Sequence, residues 1–251
     1  MLTFVGLGLY DERSITVEGQ ETLRGADRAF AEFYTSRLVG TTVETLESHH
    51  GIAIEVRDRA GIEQDPEPIL DAAETNQTVF LVAGDPMVST THTDLRLRAR
   101  ERDIDTRIVH GTTAQTAAGS LTGLQNYRFG KATTIPFAYR DRSIPESVIQ
   151  TIADNRERGL HTLCYLDIKA EENRYMRAST AAERLAPVLS ELGVVVARAG
   201  SPEPCVVADR LSALAERDFG DPLHLLVIPG DLHHLERDAL EALADGPSEL
   251  L

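Results

Sequence analysis

Residues 78–99 read TVFLVAGDPMVSTTHTDLRLRA. Val79, Phe80, Leu81 and Val82 form an unbroken apolar run, the pattern of a strand buried on both faces. Gly84-Asp85-Pro86 ends it, because Gly permits a tight backbone and Pro sets the turn that follows. Ser89, Thr90, Thr91 and His92 make a polar loop. Thr93 is placed to cap a helix that carries Leu95, Leu97 and Ala99. Strand, acidic turn, loop and helix are half of an α/β unit. Ligands of open parallel sheets bind beyond the carboxyl ends of the strands, which is where Asp85 falls. Taken alone, Gly-Asp-Pro reads first as a plain turn, so its neighbours decide.

Towards the N-terminus the same alternation repeats. Residues 2–5 are a short apolar strand running into Gly6-Leu7-Gly8-Leu9-Tyr10-Asp11. A dinucleotide fingerprint would need Gly or Ala where Asp11 stands, and the acidic Asp11-Glu12 pair would repel a pyrophosphate. An NAD-linked site is therefore disfavoured, while close approach of something to the glycine backbone remains. Thr16 is an N-cap with Glu18 and Glu21 behind it. Residues 28–34 predict a second strand and residues 52–56 a third, with a short helix between them ending near Gly51. Residues 63–68 read as an acidic connection, and residues 105–110 as the strand after the central helix. Alternating strands and helices predict a largely parallel sheet.

After Gly111 the texture becomes small and polar (GTTAQTAAGSLTGLQ), which places a domain boundary between 111 and 112. In residues 112–251, strands are predicted at 132–137, 160–168, 194–197 and 223–228. Helices are predicted at 145–158, 179–192 (with Gly193 at its end), 208–216 and 235–244. Residues 139–143 read as a charged loop. The expectation is an α/β protein of two domains, 1–111 and 112–251, both with largely parallel sheets.

Composition narrows the function. The chain has 251 residues, 42% of them hydrophobic, enough for real cores. It holds no apolar run of about 18 residues. Its start, MLTFVGLGLYDE, has neither a basic region nor a cleavage site, which predicts a cytoplasmic protein. Cys164 and Cys205 are the two cysteines, and neither belongs to a Cys-His cluster, so a zinc site is not expected; spacing alone leaves one disulfide open. Net charge is −15, from 40 acidic and 25 basic residues. That balance argues against nucleic acid and anionic membrane as partners. Lys131 and Lys169 are the only lysines. An acidic surface poor in Lys suits high salt, where repulsion is screened within a few ångströms, so a halophilic source is expected.

Several segments together resemble the diphthine synthases, a family of the tetrapyrrole methylase class. They are Gly6-Leu7-Gly8-Leu9-Tyr10-Asp11-Glu12-Arg13, Ala31-Glu32-Phe33-Tyr34-Thr35-Ser36, Gly84-Asp85-Pro86 with Thr90-Thr91-His92, and Phe129-Gly130-Lys131. Leu166-Asp167-Ile168-Lys169-Ala170-Glu171, Ala197-Arg198-Ala199-Gly200-Ser201 and Pro229-Gly230 with Leu232-His233 continue the likeness across nearly the whole chain. The glycines and Gly-Asp-Pro mark only the wider class; AEFYTS and LDIKAE are particular to the family. The resemblance implies a homodimer of two-domain α/β subunits with S-adenosylmethionine in the interdomain cleft. It implies trimethylation of the amino group of a 3-amino-3-carboxypropyl-modified histidine on translation elongation factor 2, giving diphthine. Its cofactor positions carry over to Leu9, Asp85, Val88, Thr113, Ala114, Leu166, Ala208 and His233. Where the family often has a Pro-Ser pair, Thr112, Thr113 and Ala114 stand here, a change that backbone contacts survive.

Methyl transfer from a sulfonium to an amine needs alignment and a proton acceptor, and no metal. Asp85 is suited to a ribose or an ammonium. His92, His110 and His233 are candidate bases by residue type. Lys169, with Arg174 and Arg177 behind it, is a candidate cation for the substrate carboxylate; the plain alternative is an ion pair with Glu171 or Glu172. Tyr10, Glu32, Tyr34 and Thr35 are placed beyond early strands, to border the cleft. The competing functions are a corrin or porphyrin-precursor methylase of the same fold and a non-catalytic nucleotide-binding module.

Overall fold

The computed structural model describes residues 1–138, 143–189 and 192–251; part of the charged loop expected at 139–143 lies outside them. The chain divides into two compact units, Met1–Thr113 and Ala114–Leu251.

The first unit runs β1 (Leu2–Gly6), α1 (Val17–Arg24), β2 (Arg28–Glu32), α2 (Val43–His50), β3 (Ile54–Val56), α3 (Arg59–Glu63), α4 (Glu67–Thr75), β4 (Thr78–Val82), α5 (Thr93–Glu101) and β5 (Thr106–Val109). The strands lie in the order β3-β2-β4-β1-β5 and every pairing is parallel. Five fully buried residues make up β4, as its apolar run requires. Thr16 caps α1 by accepting from the Gly19 N–H at 3.1 Å, and Gly51 ends α2 at φ 76° in the left-handed region. At α5 the cap is His92, and Thr93 is already the first helical residue. The short helix α3 lies between the strand expected at 52–56 and the connection expected from 63, with Asp58 accepting from the Gly61 N–H at 2.7 Å.

Alternation along the strands builds two faces. Val5, Ala31, Leu81 and Val109 pack with Leu23 of α1 and Leu46 of α2. On the other face Phe80 meets Phe4 edge-on at 5.8 Å and His92, at the start of α5, at 5.1 Å. The neighbours β1 and β4 thus send their next helices to opposite faces. That is the switch point at which open α/β sheets form a crevice.

The second unit runs α6 (Ala114–Thr122), β6 (Thr133–Ile135), α7 (Glu146–Glu157), β7 (Thr162–Leu166), β8 (Ile168–Lys169), β9 (Arg174–Tyr175), α8 (Ala178–Leu185), β10 (Leu192–Ala197), β11 (Cys205–Arg210), α9 (Leu211–Ala215), β12 (His224–Ile228) and α10 (His234–Ala244). Its five-stranded sheet has the order β11-β10-β12-β7-β6. Only β6 with β7 is parallel there; β7 with β12, β12 with β10 and β10 with β11 are antiparallel. The parallel expectation therefore fails for this unit. Pro187 stops α8 well short of 192, because proline cannot donate within a helix and crowds the preceding turn. Gly193 consequently lies inside β10, where a Cβ would meet Leu211 at 2.8 Å. Ala208, expected in a helix, lies in β11, the return strand of a hairpin with β10. Residues of α7, α8 and α9 cover one face of the sheet and residues of α6 and α10 the other. Both cysteines are free. Among the described residues no helix is long and apolar enough to cross a membrane.

Candidate functional site

Four glycines, Gly6, Gly8, Gly84 and Gly111, mark the carboxyl ends of adjacent strands β1, β4 and β5. Gly8 and Gly84 pair backbone to backbone, with Gly8 N to Gly84 O at 3.3 Å and Gly84 N to Gly8 O at 2.7 Å. A Cβ on Gly6 would stand 2.5 Å from the Gly84 carbonyl, and one on Gly111 would stand 2.2 Å from it. Only glycine lets these segments approach so closely. Gly84 itself has φ 80°, and the space its Cβ would occupy is open to 4 Å. A bare backbone strip therefore faces outward at the switch point.

Asp85 stands on that strip. Its carboxylate is 5% exposed. One oxygen accepts from the Met87 N–H at 2.9 Å. The other accepts from the Gly111 N–H at 3.3 Å and from His110 Nδ1–H at 2.7 Å. The side chain expected to meet a ligand directly is turned into the protein, where it ties the ends of β4 and β5 together. What it holds outward is His110, whose side chain is 75% exposed.

His92 is placed quite differently. Its ring is wholly buried, with Nδ1–H donating to the Pro86 carbonyl at 3.1 Å and Nε2 3.5 Å from Glu32. Burial lowers its pKa, partly offset by the Glu32 charge. Glu32 is equally buried and accepts from the N–H groups of Tyr34 and Thr35 at 2.9 and 3.0 Å and from the Thr35 hydroxyl. His92 and Glu32 therefore join the 32–35 loop to the Gly-Asp-Pro turn from inside. The expectations of His92 as a proton acceptor and of Glu32 at the border of a cleft are corrected, because neither side chain reaches solvent.

In the second unit the anchoring group is Glu236, a residue the sequence reading passed over. Its carboxylate is fully buried and takes four donors: Gln125 N–H at 2.8 Å, His161 Nε2–H at 2.9 Å, His233 N–H at 2.8 Å and Arg128 at 3.1 Å. Burial works to raise its pKa, but the two backbone N–H groups and the His161 ring outweigh that and hold it below the usual range. The second nitrogen of His161 accepts from the Gly230 N–H at 3.1 Å. One carboxylate thus fixes the Leu124-Gln125 bend, the Pro229-Gly230 turn and the start of α10. No motif signals it from sequence except Glu three residues after His233, the spacing of a capping box, and that box is formed.

The remaining candidates divide. Leu9, Asp85, Val88 and Thr113 all follow the ends of β1, β4 and β5, and the Gly8–Gly84 and Asp85–Gly111 bonds draw those ends together. Ala208 packs in the core beneath α10, and the half-buried Ala114 packs against the same cluster. Leu166 packs in the core on the other face of the sheet. His233 is the N-cap of α10, accepts weakly from Leu235 N–H at 3.4 Å and lies against His234 with the rings tilted by 44°. With Ala208 1% and Leu166 7% exposed, these two can offer a ligand little but backbone. Lys169 pairs with Glu172 at 3.4 Å on the β8–β9 hairpin, the plainer of its two readings. Among the described residues no group of His, Cys, Asp and Glu could hold a metal ion.

Close-packed glycine strand ends, with open backbone at Gly84, suit an adenosyl-amino acid, which needs shape and N–H or C=O partners more than countercharge. The chain belongs to the tetrapyrrole (corrin/porphyrin) methylases, whose family model matches residues 1–215. Within that class its relatives are diphthine synthases. It is 66% identical over 262 residues to the diphthine synthase of Natronomonas pharaonis, covering 100% of this chain and 98% of that protein. To that of Methanosarcina acetivorans it is 47% identical, at 100% and 98% coverage. A crystal structure of diphthine synthase superimposes with TM-score 0.93 at 38% identity, covering 99% of this chain and 98% of the other. The family is thus that of the diphthine synthases.

Proposed function

We propose that this protein is the S-adenosylmethionine-dependent N-methyltransferase that converts the 3-amino-3-carboxypropyl histidine of translation elongation factor 2 to its trimethylammonium form, diphthine. The observation that carries the reading is the full-length likeness to diphthine synthases, joined to the close-packed glycine backbone at the β1–β4 switch point. We extend it to a cytoplasmic homodimer. The methyl donor supplies an activated methyl group on a sulfonium, so the chain itself needs no metal and no covalent nucleophile.

The residues divide the work by what each presents. Leu9, Gly84, Val88, Thr113 and Ala114 are the positions to receive the donor in the first unit and at the start of the second. Leu166, Ala208 and His233 complete the set, the first two through backbone. Asp85 keeps the β4 and β5 ends in register beneath it. Holding a neutral amine in line with the methyl carbon is the main task, since positioning supplies much of the acceleration.

The test is intact-mass analysis of elongation factor 2 bearing the amino-carboxypropyl histidine, incubated with the protein and S-adenosylmethionine in molar salt. Three added methyl masses, absent from the unmodified factor, are expected. No mass gain, with donor binding shown by calorimetry in the same buffer, would return the function to a small-molecule methylase or a binding module.

A further inference from the structure

The three histidines that the sequence offers as proton acceptors are not equivalent in the folded chain. His92 is sealed between Glu32 and the Pro86 carbonyl. His233 spends Nδ1 on the cap of α10 and sets its ring against His234. His110 alone of the three joins an exposed ring to a buried carboxylate, with Nδ1 2.7 Å from Asp85.

We propose that His110 takes the proton from the substrate ammonium, with Asp85 as the positioning residue that holds the hydrogen on Nδ1 and leaves Nε2 bare. The inference rests on the methyltransferase reading above and deepens it. A carboxylate only accepts, so the nitrogen facing Asp85 carries the hydrogen and Nε2 keeps the lone pair. Asp85 cannot swing away, because Met87 and Gly111 N–H groups clamp it from both sides. The dyad stands at the carboxyl end of β5, beside the open backbone of Gly84. A ring this exposed adds little to the core, so burial gives His110 no reason to be there.

Each of three methyl transfers needs a neutral amine, so one proton must leave the nitrogen before each. In each case an N–H bond of the ammonium breaks and its electron pair stays on that nitrogen. A new N–H bond forms at His110 Nε2. The imidazolium is then stabilised by Asp85 and returns the proton to water, to which the ring is open. A buried base would have to release three protons through protein; an exposed one does not.

The test uses the full chain. In wild type, nitrogen-detected NMR of the His110 ring is expected to show hydrogen on Nδ1 and a bare Nε2. Asp85→Asn is expected to shift the ring towards the other tautomer. His110→Ala is expected to bind S-adenosylmethionine within about 3-fold of wild type by calorimetry and to lose roughly 100-fold or more in kcat, the usual worth of a positioned base. Added imidazole should restore a substantial part of that rate and leave wild type unchanged. A His110→Ala enzyme with wild-type kcat overturns the proposal, as does one that loses donor affinity and is not rescued. Hydrogen on Nε2 in wild type overturns it too. If wild type adds no methyl group to the modified factor, the functional reading itself fails and the proposal falls with it; an active wild type beside an unaffected variant sinks the proposal alone.

Discussion

His224 shows how the environment of one side chain sets a property of the whole protein. It is 4% exposed, its Nδ1 accepts from the Ala178 N–H at 3.1 Å, and its Nε2–H donates to the Asp221 carbonyl at 3.1 Å. Both nitrogens are thus used by the neutral ring. Burial pushes its pKa down to about 4, with the Arg198 and Arg177 charges adding to that and the Asp221 carbonyl and Asp218 opposing it. A depressed folded-state value means that the unfolded chain takes the proton first. The stabilisation is complete above about pH 6.5 and is lost as pH falls from there towards 4, at most on the order of 3 kcal/mol. His224→Gln should be less stable than wild type at pH 7, and the gap should narrow by pH 4.5 in urea titrations; a constant gap would assign acid sensitivity to the carboxylates instead. Glu236 is the other residue on which much depends. Glu236→Ala would strand four donors around an empty centre, and a loss of about 3–5 kcal/mol is expected in the same titrations. Cys164, by contrast, is inert: full burial raises its thiol to about 12.

Among the elements, the ends of β1, β4 and β5 decide what the first unit can bind. Gly111 and Gly84 sit side by side yet serve different ends. Alanine at Gly111 would press on the Gly84 carbonyl from 2.2 Å, so the strand ends must part; an overpacking cost of about 1–3 kcal/mol is expected from thermal or urea unfolding. Alanine at Gly84 meets nothing within 4 Å and bears only the strain of its φ of 80°, about 1–2 kcal/mol. Its methyl would enter the open space where the proposed donor site lies. Gly84→Ala should therefore lose more S-adenosylmethionine affinity per unit of lost stability than Gly111→Ala, as calorimetry on the two folded variants would show. Equal losses of affinity would mean that the open side of Gly84 is not where the donor lies.

For the molecule as a whole, charge is the governing quantity. A net charge of −15 repels itself, and 23 of the 25 basic residues are Arg rather than Lys. The arginines are placed among acids: Arg102 reaches Asp71, Glu74 and Glu67, and Arg177 reaches Asp218 and Asp221. Such exposed pairs contribute little each and do not cancel the excess. Screening shortens the reach of that repulsion from about 10 Å at 0.1 M salt to about 3 Å at 1 M. The melting temperature is expected to rise by about 5 °C or more between 0.1 and 2 M KCl, equivalent to roughly 2 kcal/mol. A flat salt profile would remove the halophilic reading, which the Natronomonas relative supports.

Sequence by itself determined what depends on neighbours along the chain. The β4 run, the Thr16 cap, the Gly51 stop and the small residues at the strand ends are local in cause. Each was legible because burial pattern, cap chemistry and turn strain act within a few residues. Tertiary structure alone decided the rest. The direction of β11 depends on its pairing with β10, and Cys205-Val206-Val207 carry no sign of that partner. The helix read through 192 yields to Pro187, a local signal that the amphipathic pattern overrode. Likewise Glu236 lies 75 residues from His161 and 111 from Gln125 in sequence, and Asp85 lies 25 from His110. Which histidine is sealed, which caps a helix and which faces water on a buried carboxylate are matters of burial and distance. Those appear only when the chain has closed on itself, since spacing along it does not measure separation across a sheet.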